Sequence, residues 1–193
     1  MKRICVYCGS SSGARQSYVQ AARTLGASLV RRGLGLVYGG SNVGLMGALA
    51  DTMLEQGGEV IGVIPGSVVI KEVAHTGLTD LRIVGSMHER KALMAELADG
   101  FIALPGGFGT LEEFCEIVTW VQLGLHRKPC GLLNVEGYYD GLLSFLNHMV
   151  AEGFVRPEYR SVVLTDSEAD GLLEKFSKYE APLLRKWIDP DET

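Results

Sequence analysis

The residues with the most chemical potential in this 193-residue chain fall in two short stretches, Met87-His88-Glu89-Arg90-Lys91 and Leu104-Pro105-Gly106-Gly107-Phe108-Gly109-Thr110-Leu111-Glu112-Glu113. In the second, an apolar run, Phe101-Ile102-Ala103-Leu104, leads in as a buried strand, and a helical pattern of Leu111, Phe114, Cys115, Val118 and Val121 leads out. Glycines between the two allow tight backbone and leave no Cβ to keep a ligand away. The helix that follows offers unpaired N–H groups and the positive end of a dipole, an anion site whose usual occupant is phosphate. Thr110 with Glu113 three residues on also fits a capping box, in which both side chains serve only the helix. The loop follows a strand, opens a helix and brings two carboxylates into the helix's first turn, which favours a functional role. In the first stretch, Ser86 and Glu89 fit a second capping box. Arg90 and Lys91 in a first helical turn oppose the dipole by ~0.3–1 kcal/mol, so Arg90 is expected to point inward, toward an anion or a carboxylate.

These stretches are positioned by a regular alternation. Strands are expected at 3–7, 34–38, 60–64, 81–84, 100–104, 131–133 and 162–164, and helices near 18–32, 44–56, 87–98, 111–123, 139–152 and 168–179. Short apolar strands separated by helices imply a doubly wound, Rossmann-like α/β fold, a parallel sheet with helices on both faces. Ligands of such folds bind beyond the carboxyl ends of the strands. Two other strand ends carry notable loops. Gly9-Ser10-Ser11-Ser12-Gly13 formally fits the G-x-S-x-G of a nucleophile elbow, but its helix starts several residues late and no histidine has a distinctive setting. It reads better as a hydroxyl-rich ligand loop. Gly39-Gly40-Ser41-Asn42-Val43-Gly44-Leu45-Met46-Gly47 partly repeats the central motif, either as a second ligand loop or as a tight turn whose Gly44 and Gly47 allow close packing.

Length and an ordinary balance of 47% hydrophobic and 21% charged residues argue for one domain over 1–193, with 188–193 a frayed tail. A net charge of −5 argues against nucleic-acid polymers and anionic membranes as partners, but not against a small phosphorylated ligand. Without a signal peptide or a convincing membrane span, a cytoplasmic location is expected. Cys5-Val6-Tyr7-Cys8 is a C-x-x-C inside an apolar run with no second pair to complete a zinc set, so reduced buried thiols are expected. No metal and no cofactor are expected. Gly107-Phe108-Gly109-Thr110-Leu111-Glu112 approaches a dinucleotide fingerprint but ends in a carboxylate that would repel a pyrophosphate, and no P-loop occurs.

With these motifs in hand, the chain resembles the LOG (Lonely Guy) family of cytokinin riboside 5′-monophosphate phosphoribohydrolases. The resemblance rests on Pro105–Glu113, which matches the family's P-G-G-x-G-T-x-x-E, on Met87–Lys91 and on the Gly39–Gly47 loop, over roughly residues 3 to 180. It implies hydrolysis of the N-glycosidic bond of an adenosine 5′-monophosphate, N6-prenylated or plain, to free base and ribose 5-phosphate. It also implies a homodimer or dimer of dimers with sites near the subunit interface. By position, Gly106, Gly107, Gly109 and Thr110 would hold the 5′-phosphate, Arg90 and Glu113 match the family's catalytic pair, and Glu72, Lys91, Glu112 and Thr119 match ligand-contacting positions. Glu72 would be a general acid for the leaving base provided that burial raises its pKa. Members have been labelled lysine decarboxylases, yet no lysine here stands in a context for a pyridoxal phosphate aldimine. The competing class is a non-catalytic nucleotide sensor on the same fold, in which Glu113 only caps a helix.

Overall fold

The structure, a computed structural model, describes residues 1–69 and 74–182, without the side chains of residues 68 and 69. Its strands are β1 (Arg3–Tyr7), β2 (Gly35–Tyr38), β3 (Val60–Pro65), β4 (Asp80–Val84), β5 (Gly100–Ala103), β6 (Cys130–Leu133) and β7 (Val163–Asp166). They form a seven-stranded sheet in the order β4-β3-β2-β1-β5-β6-β7, and all six pairings are parallel. The chain winds outward from β1 in one direction, then returns to the other side of β1 with β5. The doubly wound, Rossmann-like architecture is therefore the observed one, with its switch point between β1 and β5.

The major helices are α1 (Gln16–Arg31), α2 (Gly44–Glu55), α4 (Met87–Leu97), α5 (Phe108–Gln122), α6 (Asp140–Ala151) and α8 (Ala169–Ser177). Three short elements have no counterpart among the expected helices: α3 (Gly66–Val69), α7 (Pro157–Arg160) and a 3₁₀ turn at Val135–Gly137. Each spans a single turn, too short to show a period.

Alternation along the strands builds two cores. Ile4 and Val6 of β1 pack with α1, α2 and α8, while Cys5 and Tyr7 pack with α4, α5 and α6 on the opposite face. Both faces of a central parallel strand are apolar for this reason. Cys5 and Cys8 consequently lie in opposite layers as buried free thiols, an arrangement in which the C-x-x-C pair cannot act together.

Two local expectations are corrected by α5. The helix begins at Phe108 with Gly107 as N-cap and has no acidic residue in its first turn. Glu112 and Glu113 therefore stand in the second turn, and Thr110 is an internal helical residue. The expected apolar face holds for Phe114 and Val121, which are buried, and for Leu111 and Val118, which pack against the core; Thr110 and Ile117 are buried beside them, and Cys115 faces outward.

The Gly39–Gly47 loop braces its neighbour. Leu45 N–H donates to the Gly9 carbonyl at 3.0 Å. Gly44 has φ +59°, and a Cβ there would run into the backbone of Ser10 and Ser11. Left-handed strain costs ~1–3 kcal/mol for a residue with a side chain, and the collision adds to it. Gly44→Ala is expected to lower Tm by at least ~4 °C, read by calorimetry; an unchanged Tm would contradict this packing.

Candidate active site

One cleft of about 380 Å³ opens beyond the carboxyl ends of the central strands. Its walls come from four of them: Tyr7 to Ser10 after β1, Gly39 after β2, Ile64 and Pro65 at the end of β3, and Gly107 to Thr110 after β5. Arg90 and Glu113 reach into it from α4 and α5. This is the place a doubly wound sheet assigns to a ligand, because strand ends diverge at the switch point.

Arg90 enters the cleft because Ser86 caps α4. The Ser86 hydroxyl accepts from Glu89 N–H at 3.1 Å, and the Glu89 carboxylate accepts from Gly85 N–H at 2.8 Å, so the box closes one residue earlier than the usual pattern. The next side chain then points inward. Arg90 Nε donates to the Val63 carbonyl at 3.0 Å, and Nη1 lies 2.9 Å from Glu113 Oε1 and 3.2 Å from Met87 Sδ. With Nε committed to Val63, the pairing with Glu113 runs through one nitrogen instead of the two-pronged contact that guanidinium and carboxylate often make. Gly39 leaves the space that the guanidinium occupies; a Cβ there would collide with Nη2.

Glu113 is 11% exposed and Arg90 15%. Burial pushes the Glu113 carboxyl above its ordinary range, and the Arg90 charge opposes that rise without reversing it. Such a group stabilises the fold fully below its unfolded pKa, and that contribution is lost as pH rises through the folded value. A buried, perturbed carboxylate in a cleft is a candidate for a functional group.

The neighbouring loop is opened by its glycines. The first intrahelical bond of α5 is Leu111 N–H to the Gly107 carbonyl at 3.1 Å, so the preceding N–H groups face the cleft mouth at the positive end of the dipole. A Cβ at Gly107 or Gly109 would meet nothing within 4 Å, whereas one at Gly106 would strike the Thr110 side chain and Gly9. Gly107, Gly109 and Thr110 line the cleft, and Gly106 packs beneath it. Sequence reasoning missed the apolar part of the wall. Met46, Met87 and Met94 join Val6, Ile64 and Pro65 there, and Phe108 stands 93% exposed at the rim. Only the nearness of Met87 and Met94 to Arg90 could have signalled it.

The remaining candidates sit elsewhere. Lys91 is buried beside the cleft, with Nζ 2.5 Å from Glu112 and 3.0 Å from Glu116. Burial alone would depress its amine, but the two carboxylates prevail and hold it above the usual lysine range. Thr119 lies on the outer face of α5 and donates to the Cys115 carbonyl at 2.7 Å. Glu72 falls outside the described residues. Ser11 is exposed, and its hydroxyl accepts from Gly13 N–H at 3.3 Å. With no histidine in the cleft wall, a nucleophile elbow has no base.

Fold and site together define a Rossmann-like nucleotide-site protein. Among solved structures, the molybdenum cofactor binding protein from the phototrophic bacterium Rippkaea orientalis matches with a TM-score of 0.70 at 22% identity, covering 92% of this chain and 97% of that one, a likeness of fold. A family model described as "possible lysine decarboxylase" matches residues 46–176. The cytokinin riboside 5′-monophosphate phosphoribohydrolase LOG of Oryza sativa subsp. japonica is 51% identical over 92% of this chain and 74% of its own length. Its counterpart LOG7 of Arabidopsis thaliana is 50% identical over 93% and 82%. The chain belongs to this phosphoribohydrolase family. Among the described residues no lysine lines the cleft.

The charge balance at Glu113 is directly measurable. Carbon-detected NMR should show it titrating above the ordinary glutamate value of 4.5. In Arg90→Ala the titration should move higher still, since the largest opposing charge is gone and only that of Lys91 remains. A downward move would show that the pairing is misassigned.

Proposed function

We propose that the protein hydrolyses the C1′–N9 bond of N6-substituted adenosine 5′-monophosphates, releasing the free base and ribose 5-phosphate. Membership of the phosphoribohydrolase family supports the reaction class. The observation that carries the residue roles is the buried Arg90–Glu113 pair in the same cleft as a glycine-opened helix N-terminus.

The 5′-phosphate binds the N–H groups of Gly107, Phe108 and Gly109 and the Thr110 hydroxyl at the start of α5. Glu113 lies five residues further along, about 7.5 Å at 1.5 Å per residue, where the ribose of a phosphate-anchored nucleotide would lie. Cleavage of the glycosidic bond develops positive charge on the sugar. The Glu113 carboxylate stabilises that charge and orients the attacking water, and Arg90 keeps the carboxylate ionised and aimed in spite of its burial. Met46, Met87 and Ile64 offer the base and its substituent an apolar wall. Glu72 is proposed as donor of the proton to the leaving base.

We also propose a homodimer acting in the cytoplasm. All of α6 lacks a fully buried residue although it is rich in leucine, and it lines an apolar groove with Phe114, Cys115 and Val118 of α5. Leu123 and Leu125 are 58% and 67% exposed beyond the end of α5. Surface of this kind is usually covered. No described helix is long and apolar enough to cross a membrane. Light scattering should give twice 20.9 kDa or an even multiple of it; a monomer at micromolar concentration would refute the dimer.

The reaction is tested by base release from AMP, N6-isopentenyl-AMP and adenosine. Two lost hydrogen bonds to a charged group, at ~1.5–3 kcal/mol each, amount to ~10²–10⁴ in kcat/KM, so adenosine should be cleaved that much more slowly. Glu113→Gln should lower kcat by ~10²–10⁴ with the fold intact. In the wild type, the acid limb of kcat/KM should lie above the ordinary carboxylate range, because activity is lost as the pH falls through the raised Glu113 pKa. Comparable rates for AMP and adenosine would show that the loop is only a structural turn.

A further inference from the structure

Four successive carbonyls of the central loop are each held by a donor from the protein. Leu104 O accepts from the Tyr139 hydroxyl at 2.6 Å, Pro105 O from Gly9 N–H at 3.1 Å, Gly106 O from the Tyr138 hydroxyl at 2.5 Å, and Gly107 O from Leu111 N–H at 3.1 Å. The described peptides are all trans, and in a trans peptide the C=O of one residue and the N–H of the next point in opposite directions. Holding the Gly106 carbonyl therefore also fixes where the Gly107 N–H points. Tyr138 is no part of the cleft wall, while Gly107 is. The hydroxyl pulls the carbonyl out of the cleft from behind.

This contact differs from the other three. The peptide it holds lies between two glycines, where rotation meets the least steric resistance. A half-turn of that plane would remove one donor from the anion site and aim a carbonyl oxygen at the anion instead. Tyr138 is itself held firmly, although it is 42% exposed. Its ring stands edge-on to Tyr18 and Tyr139 at centroid distances of 5.6 and 5.0 Å. The turn before it is fixed by Asn134, whose side chain donates to Asp140 and accepts from Tyr139 N–H, both at 2.7 Å.

We propose that Tyr138 is a positioning residue that locks the Gly106–Gly107 peptide in its anion-accepting orientation and so confers phosphate recognition on the loop. This role rests on the phosphate site assigned to the loop under the proposed function, and the reaction is tested apart from it. Tyr138→Phe keeps the ring contacts and exposes the freed carbonyl to water, so the fold is retained. Calorimetric titration with inorganic phosphate should show Kd raised about tenfold or more, as for one hydrogen bond to a charged group. KM for AMP should rise in parallel, with a smaller change in kcat and Tm within about 2 °C of wild type. Tyr139→Phe, which bares a buried carbonyl, should instead lower Tm and leave phosphate affinity nearly unchanged. Wild-type phosphate affinity in Tyr138→Phe, equal weakening in both variants, or no phosphate binding by the wild type would each overturn the proposal. If the wild type fails to cleave AMP but binds phosphate in a Tyr138-dependent way, the proposed reaction fails and this inference stands. If it cleaves AMP but binds phosphate equally well without the Tyr138 hydroxyl, the reaction stands and this inference fails.

Discussion

The site is built around a carboxylate placed where water is scarce. Glu113 is buried among the strand ends, and desolvation works against its charge. One guanidinium answers it, and that guanidinium is tied to the backbone through the Val63 carbonyl. Much of the surrounding sequence follows from this pair. Gly39 must lack a side chain to admit the guanidinium, Ser86 must stop α4 at the right residue to aim it, and α5 must start at Phe108 to place the carboxylate in its second turn. A buried pair of this type is weak evidence for stability. Its effect is to constrain what the cleft can do.

The sheet order supplies the rest of the placement. Val63 belongs to β3 and Gly39 follows β2, both on one side of β1, whereas Glu113 follows β5 on the other. The two partners thus arrive from opposite wings of the winding and meet above its centre. The Gly9 loop lies between the wings and touches both, through its carbonyl to Leu45 and its N–H to Pro105. The second glycine-rich loop is divided in the same way: Gly39 serves the site and Gly44 serves the junction between loops.

The fold was legible because β1, β2, β3, β5 and β6 are short apolar runs and the helices between them are long enough to show a period. The inward turn of Arg90 was legible too, from a charge placed against a helix dipole. Other features depend on tertiary context. Thr110 and Glu113 have the spacing of a capping box, and nothing local reveals that Gly107 already starts the helix. Lys91 and Glu112 match the family's ligand-contacting positions, yet they face each other across α4 and α5, a pairing between residues 21 apart in sequence. The outward turn of Cys115 reflects tertiary packing, in which Ile117 shares the buried face with Phe114 and Val121. The methionine wall and the hold of Tyr138 on Gly106 leave no mark on any periodic pattern.

The loop's directed N–H groups also separate the protein's distant field from its near one. The chain carries a net charge of −5, so at separations around a Debye length, ~8 Å at physiological ionic strength, it repels anions weakly. At the loop proposed to hold the phosphate, aligned peptide dipoles oppose that repulsion, while the Arg90 charge is matched by Glu113. A mononucleotide bears too little charge for the outer repulsion to matter. A polyanion accumulates that repulsion along its length and cannot bring most of its phosphates to the dipoles. On the proposed phosphate site, the positive potential that meets a small phosphorylated guest is stored in oriented backbone rather than in a basic surface.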